Sequence, residues 1–213
     1  MSLIIKTRRI RQFFAMAALK FFTPNLAAQI KDMTTRQSAV PRPFTNFLKS
    51  YYGDKSLVGV EIGFGYGYNA ESLLTELNIK KLFCVEPFLL KKWMQGSTLI
   101  DAYVDDKKSL FPKLVADKRV SFVHLPSDAA FSVLPYNLDF VYVDGNHTYD
   151  FVQRDILNSL NHVAAEGVVG GHDFWRGYEV IQAVLDLTVK LKLAPTVDEP
   201  DFWFVKKTIA NDI

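Results

Sequence analysis

From Leu57 onward, compact apolar runs alternate with longer stretches in which apolar residues return every three or four positions. Short apolar runs bounded by turn formers read as strands buried on both faces, and the helical period between them reads as amphipathic helices. On this reading strands cover residues 57–62, 81–85, 120–124, 138–143 and 167–170. Helices fall over about 67–78, within 88–116, near 128–133, and over about 149–163 and 178–191. Two short strands follow, near Thr196 and over 202–205, separated by the turn Asp198-Glu199-Pro200-Asp201. Strands and helices in alternation predict an α/β fold with a mostly parallel, seven-stranded sheet. Right-handed crossovers put helices on both faces, and the last two strands close it as an antiparallel hairpin.

Ahead of the first strand the pattern is different. A polar connection runs from Thr34 to Pro41 and Pro43, where two prolines interrupt any helix, and a short helix over about 44–51 follows. Residues 1–50 are therefore expected to form a basic helical extension and linker, and residues 51–213 the core domain. A chain of 213 residues, 49% hydrophobic, suits one domain with a sizeable core better than two.

Charge sharpens the reading of the extension. The formal net charge is only +2, yet Lys6, Arg8, Arg9, Arg11, Lys20 and Lys31 all precede the first acid, Asp32. The apolar run Phe13 to Leu19 is cut by Lys20 and falls short of the roughly 20 residues a bilayer requires, so no transmembrane helix is expected. Residues 4–22 then read as a basic, aromatic helix with three candidate uses: contact with a membrane surface, a lid over a cleft, or packing against a second copy in a homo-oligomer. A lid or docking helix is the plainer reading. Nucleic acid is disfavoured as a partner, because no extended basic face follows the extension. A single cysteine, Cys84, excludes an intrachain disulfide and suits a reducing compartment, so the cytoplasm is expected.

The chemistry concentrates where strands end. The first strand runs into Glu61-Ile62-Gly63-Phe64-Gly65-Tyr66-Gly67, three glycines at alternating positions. Such a turn lets a nucleotide approach backbone that carries no Cβ. A dinucleotide turn would place its third glycine at position 68, which is Tyr68, so a nicotinamide cofactor is disfavoured. Glu86 closes the second strand close to the spacing expected of an acid that binds a ribose diol. Together the Glu-x-Gly-x-Gly-x-Gly turn, Glu86 and the closing hairpin resemble a class I S-adenosylmethionine-dependent methyltransferase with a Rossmann-like sheet. The resemblance implies S-adenosylmethionine as cofactor, held by Glu61, Gly63, Gly65, Gly67 and Glu86. It also implies adenine contacts from Ser127 and Asp128 after the third strand, although helix capping by either residue explains them equally well.

Two further strand ends carry acids and imidazoles, in Val143-Asp144-Gly145-Asn146-His147 and in Gly170-Gly171-His172-Asp173. Over about residues 57–175 the chain resembles the small-molecule branch that includes macrolide-sugar O-methyltransferases and cephalosporin-hydroxylase-like proteins. In that branch an Asp-Gly-x-His segment and an acid-Asp pair bind magnesium. The resemblance therefore implies Asp144 and Asp173 as metal ligands, His147 as the base for a substrate hydroxyl, and Asp144 near both catalysis and cofactor. His172 stands where the branch carries a carboxylate, which argues for weaker magnesium binding or a softer ion. His147 alone could relieve a hydroxyl of its proton without metal. Competing readings are a helix cap for His147, a packed core residue for His172, a metal-dependent hydroxylase-like reaction on the same fold, and a nucleotide-binding protein without turnover. Trp93, Tyr103, Trp175, Tyr178 and Trp203 are candidates for an acceptor pocket, of which Trp175 and Tyr178 are preferred; His124 and His162 receive no role.

Overall fold

The computed structural model describes residues 40–87, 110–174 and 178–207. The expected basic helix over 4–22, most of the span 88–116, and Trp93, Tyr103 and Trp175 lie outside the described residues, as does the side chain of Tyr178.

Helix α1 (Pro43–Tyr52) precedes strand β1 (Leu57–Ile62), and the glycine turn leads into α2 (Tyr68–Glu76). Then come β2 (Ile79–Val85), the single turn α3 (Phe111–Leu114), β3 (Val120–Val123) and a second single turn, α4 (Ser127–Ala130). Strand β4 (Leu138–Val143), helix α5 (Tyr149–His162), β5 (Val163–Gly171) and α6 (Tyr178–Leu191) follow, and β6 (Thr196–Asp198) with β7 (Asp201–Val205) form the closing hairpin. The seven strands are ordered β3-β2-β1-β4-β5-β7-β6. The first five are parallel; β7 runs antiparallel to both β5 and β6. Order reverses between β1 and β4, so the crevice beyond their carboxyl ends is the topological switch point where ligands bind.

Alternation along β4 explains why the sheet is covered on both faces. Val141 and Val143 enter one core with Val60, Ile156, Val184 and Phe204, while Phe140 and Tyr142 enter the other with Phe44, Leu73, Leu82 and Trp203. Close packing sets residue size at the crossings. A Cβ on Gly170 would lie 2.4 Å from the Phe44 ring, so α1 sits directly on β5.

Helix α1 is held by a distant acid. No local side chain caps it; instead the buried carboxylate of Asp201 at the start of β7 accepts the Phe44 N–H (3.0 Å) and the Tyr142 hydroxyl (2.9 Å). Amide donors in a first helical turn need acceptors, and a carboxylate there also meets the positive end of the helix dipole. Among the described residues no helix is long and apolar enough to cross a membrane.

Candidate active site

Backbone bonds carry the sheet ladder past the ends of its strands. Gly63 N–H donates to Val85 O (2.9 Å), Asp144 N–H to Ile62 O (2.8 Å) and His172 N–H to Val143 O (3.0 Å). The glycine turn, Asp144 and His172 thus stand in one row across β1, β4 and β5, fixed by main chain rather than by side chains.

The turn has two different reasons for its glycines. Gly63 has φ +89°, and a Cβ there would fall 2.1 Å from the Asp144 carbonyl oxygen, so it is the close approach of two strand ends that forbids a side chain. At Gly65, with φ +53°, a Cβ would meet nothing within 4 Å among the described residues. That opening is where a ligand can lie against bare backbone.

Behind the turn, Glu61 is buried. Its Oε1 accepts the Asn69 amide (2.8 Å), and neither Oε2 nor Asn69 Oδ1 has a hydrogen-bond partner among the described residues. Burial pushes the Glu61 carboxyl up to about 8; the Asn69 bond and the Arg42 charge oppose this, while Asp144 and Glu86 add to it. Glu86, one residue beyond β2, is largely buried and donates its N–H to Val123 O (3.1 Å). Glu61, Glu86 and Asp144 therefore ring the same end of the sheet.

Asp144 is the hub. Its Oδ1 lies 3.4 Å from His147 Nε2 and 3.6 Å from His172 Nδ1, and its Oδ2 lies 3.3 Å from Arg42 Nη2. His147 Nε2 is also 3.3 Å from Asp173 Oδ2, and His172 Nδ1 is 3.2 Å from Asp173 Oδ1. One imidazole nitrogen is thus flanked by two carboxylates, on a side chain that is 46% exposed. Asp173 adopts φ +61°, a conformation that costs a non-glycine residue free energy and that clusters at functional sites.

Donor atoms from Asp144, His147 and Asp173 all lie within 4.8 Å of one another. Two oxygens and an imidazole nitrogen at such spacing fit neighbouring positions around one divalent ion, with bonds of about 2.1 to 2.4 Å. The mixed set suits manganese or iron at least as well as magnesium. His172, buried beside the same carboxylates, is part of this cluster rather than a remote core residue.

Capping is settled for His147: α5 begins after Thr148, whose N–H bonds to Asn146 Oδ1, while the Tyr149 N–H bonds to Glu179 (2.8 Å). After β3, Pro126 rather than Ser127 or Asp128 precedes α4. Asp128 turns back to the adjacent Ala129 N–H and sits 3.8 Å from Arg154 on the surface. Trp203 packs in the core against Phe47 at 4.8 Å. Sequence reading missed Arg42, Asn69 and Asp201. The visible signal was slight: a lone arginine between two prolines, an asparagine in the first turn after the glycines, and an acid closing a hairpin turn.

Known proteins add the family. A family model described as a methyltransferase domain matches residues 60–174, more than half of the chain. No protein of curated function matches the sequence significantly. Among solved structures, an rRNA methylase from Streptococcus thermophilus aligns at 12% identity and TM-score 0.54, covering 80% of this chain and 100% of that one. The MycE methyltransferase of the mycinamycin biosynthetic pathway, in complex with Mg, SAH and mycinamycin VI, aligns at 14% identity and TM-score 0.54, over 92% of this chain and 64% of that one. Spermidine synthase from Thermotoga maritima aligns at 16% identity and TM-score 0.50, over 78% and 59%. At such identities the likeness concerns the fold alone.

Proposed function

Because the chain belongs to the methyltransferase-domain family and is a class I S-adenosylmethionine-dependent enzyme, we propose that it methylates the hydroxyl of a small molecule, with His147 as base. The observation that carries this reading is the exposed His147 imidazole set between Asp144 and Asp173 at 3.4 and 3.3 Å, beside the open face of the glycine turn.

S-adenosylmethionine supplies a methyl group on a sulfonium. The residues do the rest. The His147 imidazole takes the hydroxyl proton as the oxygen's electron pair forms the new C–O bond, and the S–CH3 bond breaks with its electrons left on sulfur. The products are a methyl ether and S-adenosylhomocysteine, and the proton remains on His147. Asp144 and Asp173 orient the ring and stabilise the imidazolium. Gly65 keeps a side chain out of the donor's path, Glu86 offers a carboxylate to its ribose, and Ser127 and Asp128 are assigned to its adenine edge. A divalent ion, held by Asp144 and Asp173, would act as a Lewis acid that acidifies the acceptor hydroxyl. The MycE structure, with Mg bound, supports that option.

Radiolabelled donor incubated separately with a small-metabolite extract and with total RNA tests the acceptor. Label is expected in the small-molecule fraction, and His147→Ala should lower its rate about 10²- to 10⁴-fold while calorimetric binding of S-adenosylhomocysteine persists. Label confined to RNA would overturn the acceptor class. An undiminished rate in the variant would overturn the role of His147.

A further inference from the structure

We propose that Arg42, Glu61 and Asn69 form a site for an α-amino-acid zwitterion, in which Arg42 reads the carboxylate at the amino-acid end of the methyl donor. The proposal rests on the S-adenosylmethionine reading above and adds to it a residue from outside the matched region, residues 60–174.

Arg42 is placed with unusual firmness for a residue in a connecting segment. Prolines precede and follow it, and the helix it introduces is anchored two residues later by Asp201. Its guanidinium lies 5.6 Å from the centre of the Tyr142 ring and gives only Nη2 to Asp144, at 3.3 Å. The Nε and Nη1 donors are buried and have no partner among the described residues. A buried donor on a charged group is costly to leave unmade, so two on one guanidinium call for an acceptor.

A complementary need lies within electrostatic range. Glu61 Oε2 and Asn69 Oδ1 are buried acceptors without a donor among the described residues, and the bond between these two side chains holds both acceptors in one place. Arg42 and Glu61 feel each other's charge. The guanidinium thus needs acceptors, while the Asn69 amide oxygen and the Glu61 carboxyl, which an adjoining ammonium would hold ionised, need a donor. A phosphate or a simple acid would satisfy Arg42 and leave Glu61 and Asn69 without a donor. A neutral polyol would serve the acceptors and leave the guanidinium unpaired. An α-amino acid meets both, its carboxylate accepting from the arginine fork and its ammonium donating to Glu61 and Asn69. Among the described residues nothing stands within 4 Å of a Cβ at Gly65, which leaves room for the rest of such a ligand.

Calorimetry with three probes tests this: S-adenosylhomocysteine, its decarboxylated counterpart, and 5′-methylthioadenosine, which keeps the adenosine and thioether but has no amino-acid group. The wild-type protein should bind S-adenosylhomocysteine about 10- to 100-fold more tightly than the decarboxylated compound. Arg42→Gln should erase that preference and leave 5′-methylthioadenosine unaffected; Arg42→Lys should keep part of it. Wild-type protein that binds the first two probes alike would overturn the proposal, and needs no variant to fold. So would Arg42→Gln weakening 5′-methylthioadenosine as much as S-adenosylhomocysteine, the mark of a merely structural arginine, or Arg42→Gln changing only the KM of the acceptor, which would assign the guanidinium to a different carboxylate. Failure of the wild-type protein to bind any of the three would instead overturn the S-adenosylmethionine reading on which the proposal stands.

Discussion

At the scale of single residues, Glu61 is the most consequential group, because it is a buried acid with one oxygen unpartnered among the described residues. In the folded protein it holds its proton to about 8, against an ordinary value of 4.5 when exposed. Between those values the native state binds more protons than the unfolded chain, so stability falls as pH rises through the window and levels off above about 8. Urea titrations between pH 5 and 8.5 should therefore show wild-type protein losing stability relative to Glu61→Gln by up to about 1.4 kcal/mol per pH unit. Parallel profiles would mean that Glu61 is already ionised in the native state. Glu61 was legible in sequence because it opens a glycine pattern that ligands impose. Arg42 was not. It lies in a proline-flanked stretch that reads as linker, and its partners Asp144 and Glu61 come from other strands, a proximity that local periodicity does not encode.

At the scale of elements, the sheet converts a backbone ladder into a site. The Gly63 and Asp144 amides extend the pairing of β1 with its neighbours, which is why the turn presses so closely on the Asp144 carbonyl. Gly63→Ala forces a Cβ to within 2.1 Å of that oxygen at φ +89°, and should cost about 2 to 4 kcal/mol in denaturant-derived stability. Gly65→Ala has room at its position and should cost about 1 kcal/mol, while weakening S-adenosylhomocysteine binding by more than that loss accounts for. Equal stability losses in the two variants would contradict this division of labour. Strands β1 and β4 and helix α6 match the sequence pattern residue for residue, since continuous apolar runs and helical periods leave little freedom. Strand β5 begins at Val163 rather than at 167, directly after α5, and its pairing with β4 shifts register between Leu138 and Phe140. Ala164, Ala165 and Glu166 lack the apolar run that would have revealed those first residues as strand. His162, given no role from sequence, joins α5 to the turn after α4 through a contact of 2.9 Å with Phe131 O.

For the whole molecule, the closing hairpin does more than complete the sheet. Asp201 reaches back from β7 to the start of α1 and to Tyr142 in the centre of the sheet, which fixes the backbone that presents Arg42. Asp201→Ala strands two buried donors and should lower stability by about 2 to 5 kcal/mol, with the preference for S-adenosylhomocysteine over its decarboxylated counterpart reduced in the fraction that remains folded. A thermal melt within a degree of wild type would show that α1 is held by its apolar face alone. The sequence pattern identified the hairpin and the succession of strands along the chain, but not that the hairpin governs the amino-terminal end of the domain. The Asp201 to Phe44 bond spans 157 positions, and contacts of that span form late, after the intervening chain has been made and threaded. During synthesis on the ribosome, the glycine turn and the Asp144 cluster can assemble while the amino-terminal arginine still swings free. The donor pocket is finished only when the last strand emerges, so a nascent chain released before it should hold the methyl donor more weakly than the finished protein.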